Sequence, residues 1–346
     1  MTELWQMARE MVVPGKGILA ADESTSTIKK RFDAIGVEST EANRRTYREL
    51  LFRTKGAAEY ISGVILYDET IRQKGEDGTP LVTILKEQGI HPGIKVDVGA
   101  KPLAFSPKET VTEGLDGLRE RLVEYRGLGA VFTKWRGVIT IGEGLPTDAC
   151  IQVNAHALGR YAALSQEAGL VPIVEPEVLM DGDHSIETCF EVTRRTQLAV
   201  FEELAKQNVR FDSMLLKPNM VLSGKDAKDR APASQVARAT LQCFRDTVPA
   251  AVPGVVFLSG GQTDDEATVN LDAINRRAAE IGGVPWELSF SYGRGLQAAP
   301  QTTWSGKKEN VAAAQRAYFH RARVTAAARM GKYTPDMERE REPVPA

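Results

Sequence analysis

A single (β/α)8 barrel of the TIM type is what the 346-residue sequence predicts, on three observations. Eight short apolar runs recur along the chain, each ending in charged, hydroxyl or glycine residues. Segments of helical periodicity lie between them. No GxGxxG follows the first run, and no linker or composition shift divides the chain, which argues against an open, doubly wound sheet.

The runs are GILAADES from Gly17, GVILYDE from Gly63, GIKVDVG from Gly93 and AVFTKWR from Ala130, then VPIVEPE from Val171, SMLLKPN from Ser213, GVVFLSGG from Gly254 and WELSFSYGR from Trp286. Apolar stretches with little polar alternation suit strands buried on both faces, as in a parallel sheet. An extra N-terminal helix precedes the first run. After the fourth, Ile151, Ala155, Leu158 and Ala162 recur at helical spacing until Gly169 stops the pattern. Capping-box pairs are read at Thr263 with Glu266 after the seventh run and at Thr110 with Glu113 after the third, each predicting a helix start. A last helix is expected from Lys308 to Arg329. Residues 1–330 therefore form one catalytic barrel domain, and the polar, proline-bearing residues 331–346 are expected to be a flexible tail.

Composition narrows the function classes. With 44 Lys and Arg against 46 Asp and Glu, the net charge of −2 argues against a nucleic-acid or anionic-membrane surface. Cys150, Cys189 and Cys243 show no CxxC spacing, so neither a disulfide framework nor a zinc ribbon is expected. Residues 1–15 hold early acidic groups and no export-signal core, and no apolar stretch reaches about 18 residues, so a cytoplasmic location is predicted.

In such a barrel, side chains at the C-terminal ends of the strands converge on one mouth. Those ends carry Asp22 and Glu23, Asp68 and Glu69, Lys95 and Asp97, Lys134 and Arg136, Glu175 and Glu177, Lys217, Ser259 and Arg294. Residues two apart in a strand share a face, so Lys95 with Asp97, Lys134 with Arg136, and Glu175 with Glu177 can each point inward together. Crowded lysines and burial are the physical means of making one amine a nucleophile toward carbonyl carbon. Lys217 is the candidate, because Met214, Leu215 and Leu216 give it an apolar setting.

Phosphate binding is a separate signal. Ser259-Gly260-Gly261 precedes a capped helix, and Tyr292-Gly293-Arg294-Gly295 follows the eighth run. Glycine admits close approach of backbone N–H groups to an anion, a helix N-terminus favours negative charge, and arginine offers a fork to phosphate oxygens. Ser24, Thr25, Ser26 and Thr27, followed by Lys30 and Arg31, read equally as an N-capped helix or a second anion site. Asp181-Gly182-Asp183-His184 looks metal-like, but the remaining histidines are scattered. Those aspartates are better read as caps of a helix near Ser185, and no metal or cofactor is expected.

These residues resemble the class I, Schiff-base fructose-bisphosphate aldolases. The resemblance rests on GILAADEST, EANRR (Glu41–Arg45), GVILYDET, GIKVDVG, FTKWR, PIVEPEVL, DGDH, LLKPNMV, TVPAAVPGVVFLSGGQ, LSFSYGR and GKKEN, spread over almost the whole chain. It implies that Lys217 forms an imine with the C2 ketone of fructose 1,6-bisphosphate. Asp22 accepts the C4 hydroxyl proton, Glu175 serves as acid and base, Lys134 assists, and Glu177 tunes the network. The products would be dihydroxyacetone phosphate and glyceraldehyde 3-phosphate, placing the enzyme in glycolysis and gluconeogenesis. The resemblance assigns Ser259, Gly260, Gly293, Arg294 and Arg31 to the C1 phosphate, and Ser24, Thr27, Lys95 and Arg136 to the C6 phosphate. It also implies a homotetramer. Better-known members end in a tyrosine that helps protonate the enamine, whereas this sequence ends Pro345-Ala346 and its last tyrosine is Tyr333, so another group or water would take that step. Rival readings are another lysine-imine aldolase or transaldolase, and a non-catalytic scaffold on the same fold.

Overall fold

The structure, a computed structural model, describes residues 3–340. Its ten strands are β1 (Gly17–Ala21), β2 (Ile61–Leu66), β3 (His91–Lys95), β4 (Gly99–Leu103), β5 (Ser106–Glu113), β6 (Phe132–Ile139), β7 (Val171–Val178), β8 (Leu215–Leu216), β9 (Gly254–Phe257) and β10 (Glu287–Tyr292). Eight of them close a barrel in the order β1-β10-β9-β8-β7-β6-β3-β2, with every pairing parallel. All eight apolar runs supply a barrel strand.

The alternation along each strand explains both the core and the mouth. Ile18, Ala20, Ile65, Phe132, Val171, Ile173, Leu215 and Val256 form one apolar cluster, which Ala8, Met11 and Val12 join from the N-terminal segment. Continuing by twos from these positions leads from Phe132 to Lys134 and Arg136, from Ile173 to Glu175 and Glu177, and from Leu215 to Lys217. One face of each strand is therefore apolar at the floor and charged at the mouth. The intervening residues Leu19, Val64, Ile94, Val174 and Leu216 belong to the outer core against the helices.

The floor is closed by the short helix Leu4–Glu10 and the turn after it. Ser62 donates its hydroxyl to the Met11 carbonyl at 2.6 Å, and Arg329 of the last long helix donates to the Val12 carbonyl. Phe132 fills the interior just above, and a Cβ at position 93 would lie 2.2 Å from its ring. Glycine at that strand position makes the ring fit.

The outer helices follow their caps. Thr147 accepts from the Cys150 N–H to start Asp148–Glu167, in which Ile151, Ala155, Leu158 and Ala162 are buried as expected. Thr263 and Glu266 form the predicted capping box of Asp264–Glu280. Two expectations are corrected. Thr110 and Glu113 cap no helix; they lie in β5, which pairs antiparallel with β4, because the β-branched run Thr110-Val111-Thr112 completes a ribbon whose turn uses Phe105 at φ 61°. The helix there starts later, at Leu118. The helix Ile186–Lys206 is capped by the Ser185 hydroxyl itself, with Asp181 paired instead to Lys225.

The last long helix spans Val311–Arg329. Beyond it Tyr333 is buried, its N–H donates to Asp272, and Glu338 accepts from the buried Arg321 at 2.6 Å. Of the tail expected to be flexible, these contacts concern residues 331–340, and residues 341–346 lie outside the described residues. Among the described residues no helix is long and apolar enough to cross a membrane.

Candidate active site

A cavity of about 500 Å³ opens at the C-terminal ends of the barrel strands. It is lined by all fourteen residues singled out from the sequence: Asp22, Ser24, Thr27, Arg31, Lys95, Lys134, Arg136, Glu175, Glu177, Lys217, Ser259, Gly260, Gly293 and Arg294. They come from seven strand ends, all but that of β2, and the loops after them. Asp68 and Glu69, grouped with the mouth by sequence, do not reach it. The chain turns into the helix Asp68–Arg72 there, so Asp68 pairs with Arg72 and Glu69 with Arg44.

Strand register sets the centre. Lys95 lies beside Lys134, and Arg136 beside Glu175. Lys217 directly follows β8, and its N–H donates to the Val174 carbonyl at 2.8 Å. As a result Lys217 Nζ is 3.1 Å from Glu175 Oε1, and Lys134 Nζ is 3.2 Å from Glu175 Oε2 and 2.7 Å from Asp22 Oδ2. Lys134, Glu175 and Lys217 are each less than 5% exposed. Two lysines and two carboxyl groups thus alternate in a line: Lys217, Glu175, Lys134, Asp22.

Electrostatics keeps Asp22, Glu175 and Lys134 ionised. Burial by itself would raise the Asp22 pKa, but Lys134, Lys217 and Lys95 outweigh it and hold the carboxyl well below its usual range. Glu175 is lowered for the same reason: burial is overcome by Lys134, Lys217 and Arg136, with Asp22 opposing them. For Lys134, burial would favour the neutral amine, yet Asp22, Glu175 and Asp97 raise its pKa well above that of a free lysine. Glu177 accepts from Arg136, whose pKa is likewise raised despite burial, chiefly by that carboxylate.

Around this centre lie two groups of anion-binding chemistry. On the β9–β10 rim, Ser259 and Gly260 stand before the helix Asp264–Glu280, while Gly293 and Arg294 open the helix Arg294–Trp304. Glycine at 260 lets the Glu177 carboxylate approach, since a Cβ there would lie 2.8 Å from Glu177 Oε1 and displace it. On the other rim, the Ser24 hydroxyl caps the helix Thr25–Asp33 and lies 3.1 Å from the Thr27 hydroxyl, so the capping and anion-binding readings describe one set of groups. Lys95 and Arg136 face the same space.

Glu23 and Asp97, read from the sequence as strand-end carboxylates at the mouth without an assigned role, also line the cavity, as does Ser291, which the sequence reading did not single out. Glu23 receives Arg31, and the Gln297 amide donates to it at 2.8 Å. Ser291 is buried, and its hydroxyl has no hydrogen-bond partner among the described residues. Its signal was present in Ser289-Phe-Ser291-Tyr, where two hydroxyls alternate with aromatic rings on one strand. Tyr333 is not among the residues lining the cavity.

A closed parallel barrel with a charged cleft at the C-terminal ends of its strands defines an enzyme of the (β/α)8 class acting on a small polar molecule. Residues 3–343 match the family described as fructose-bisphosphate aldolase class-I. The chain is 55% identical over 332 residues to a Xanthomonas campestris protein named probable fructose-bisphosphate aldolase class 1, covering 96% of this chain and 98% of that one. It is 51% identical to the cytosolic fructose-bisphosphate aldolase 4 of Arabidopsis thaliana, over 97% of this chain and 85% of the relative. The solved fructose-bisphosphate aldolase of Plasmodium falciparum superposes with a TM-score of 0.93 at 50% identity, covering 96% of this chain and 95% of the other. The chain belongs to the class I fructose-bisphosphate aldolase family, and is thus a carbon–carbon lyase with the barrel fold its sequence predicts.

Proposed function

We propose that this enzyme cleaves fructose 1,6-bisphosphate reversibly to dihydroxyacetone phosphate and glyceraldehyde 3-phosphate, with Lys217 as the amine that forms the imine. The observation that carries this reading is the buried line Lys217, Glu175, Lys134, Asp22 inside a cavity with anion-binding groups at both rims.

The neutral Lys217 amine attacks the C2 ketone, and the carbinolamine oxygen leaves as water after taking a proton delivered through Glu175. The resulting iminium is the electron sink. Asp22 accepts the proton of the C4 hydroxyl, the C4–O bond becomes a carbonyl, and the C3–C4 pair flows into the iminium to give an enamine. Glyceraldehyde 3-phosphate departs. Protonation of the enamine at C3, followed by hydrolysis, releases dihydroxyacetone phosphate and returns the amine. Lys134 keeps Asp22 and Glu175 anionic, and Glu177 orients Arg136. Ser259, Gly260, Gly293, Arg294 and Arg31 hold the C1 phosphate, and Ser24, Thr27, Lys95 and Arg136 the C6 phosphate. A homotetramer and a cytoplasmic location belong to the same proposal.

Incubation with fructose 1,6-bisphosphate, reduction by borohydride and mass spectrometry of the peptides test it. The expected result is an adduct at Lys217 that EDTA does not diminish. No adduct, with activity lost in EDTA, overturns the reading.

A further inference from the structure

The Lys95–Lys134 pair poses an electrostatic problem. The two residues are register partners on β3 and β6, and both line the cavity. Two ammonium groups so close repel unless an anion separates them. That anion is Asp97, whose side chain is 2% exposed. Its Oδ1 lies 3.3 Å from Lys95 Nζ and accepts the Gly99 N–H at 3.1 Å. Its Oδ2 lies 4.0 Å from Lys134 Nζ and accepts the Arg136 N–H at 3.3 Å. The two backbone donors belong to different elements, the start of β4 and the middle of β6, so the carboxylate cannot turn toward one lysine without breaking a bond on the other side. Gly99 presents its N–H from a φ of 102°, a conformation that favours glycine.

We propose that Asp97 is a positioning residue that holds Lys95 and Lys134 at a fixed separation, so that a C6 phosphate seated on Lys95 keeps a set register with the line Asp22, Lys134, Glu175 and Lys217. The proposal rests on the reading of the site given above. Without the Asp97 charge the two ammonium groups repel, Lys95 moves off the C6-phosphate rim, and a substrate with a C6 phosphate loses that contact. A ketose monophosphate without one does not use it.

The test compares fructose 1,6-bisphosphate with fructose 1-phosphate, measuring kcat and KM for the unmodified enzyme and for Asp97→Asn, with borohydride trapping at Lys217 alongside. In D97N the KM should rise about tenfold for the bisphosphate but stay within about twofold for the monophosphate. Asp97→Glu, which keeps the charge, should return the bisphosphate KM toward that of the unmodified enzyme. A merely structural role would weaken both substrates alike and leave D97E no better than D97N. If D97N still forms the Lys217 adduct while its bisphosphate KM stays unchanged, the proposal falls and the imine reading stands. If the unmodified enzyme forms no adduct, both fall.

Discussion

Glu175 meets Lys217 at 3.1 Å through Oε1 and leaves its other oxygen 3.2 Å from Lys134, so one buried carboxylate serves both amines. Glu175→Gln keeps the size and removes the carboxylate that takes up and passes on protons. It should lower kcat about 10²–10⁴-fold with little change in KM, because the loss falls on steps that move protons and not on phosphate binding. Borohydride trapping should still find Lys217, only more slowly. A kcat within about twofold of the unmodified enzyme would remove Glu175 from the mechanism.

The lowered pKa values of Asp22 and Glu175 make a statement about acid. Their ordinary values are 3.8 and 4.5, and both lie lower in the folded state, where burial is outweighed first by Lys134. Above these ordinary values both states are ionised and the full stabilisation is present. As pH falls below them the unfolded chain takes up protons that the folded one refuses, so stability is lost progressively toward the folded pKa values. Thermal midpoints measured from about pH 6 to about pH 3 should therefore fall, and less steeply in Asp22→Asn. Equal slopes would show that Asp22 carries none of this linkage.

Gly260→Ala places a methyl group 2.8 Å from Glu177 Oε1 and 3.0 Å from Leu258 Cδ1. Both atoms end flexible side chains, so the Glu177 carboxylate turns aside, disturbing its bond with Arg136, or the loop beside Ser259 moves. The KM for fructose 1,6-bisphosphate should rise about tenfold, equivalent to about 1.4 kcal/mol, while adduct formation at Lys217 survives. An unaltered KM would show that the methyl is absorbed without moving Arg136 or the Ser259 loop.

Two substitutions away from the cavity test the scaffold. Gly93→Ala drives a methyl into the Phe132 ring and should cost about 1–3 kcal/mol by overpacking. Thr263→Ala removes the hydroxyl that accepts from the Glu266 N–H and should cost about 1 kcal/mol. Denaturant midpoints measure both, and a stable G93A would mean that Phe132 has room to move.

How far the sequence reveals this molecule depends on which local patterns admit a single reading. The eight barrel strands were legible because each run is apolar on both faces and ends in charge, a combination that only a buried parallel strand with a functional mouth explains. Lys134 and Glu175 followed from parity within their strands, and Lys217 from the apolar residues before it. The β4–β5 ribbon was not legible: Thr110 and Glu113 match a capping box, and nothing local says that Thr112 will donate its hydroxyl to the Arg136 carbonyl at 2.7 Å instead. Ser185 took the cap from its neighbouring aspartates because Asp181 is claimed by Lys225, a partner far along the chain. Asp97 was visible as a strand-end carboxylate, but its place between two lysines depends on the register of β3 against β6.

The floor of the barrel has a consequence for biosynthesis. β1 is sealed along one edge by β10, with Ile18 beside Ser291, and the turn bearing Val12 is held by Arg329. β1 therefore leaves the ribosome long before its partner β10, and every nascent intermediate that lacks β10 carries an unpaired strand edge. Native closure thus requires long loop closures and waits for Arg329, and the growing polypeptide is exposed to self-association until then.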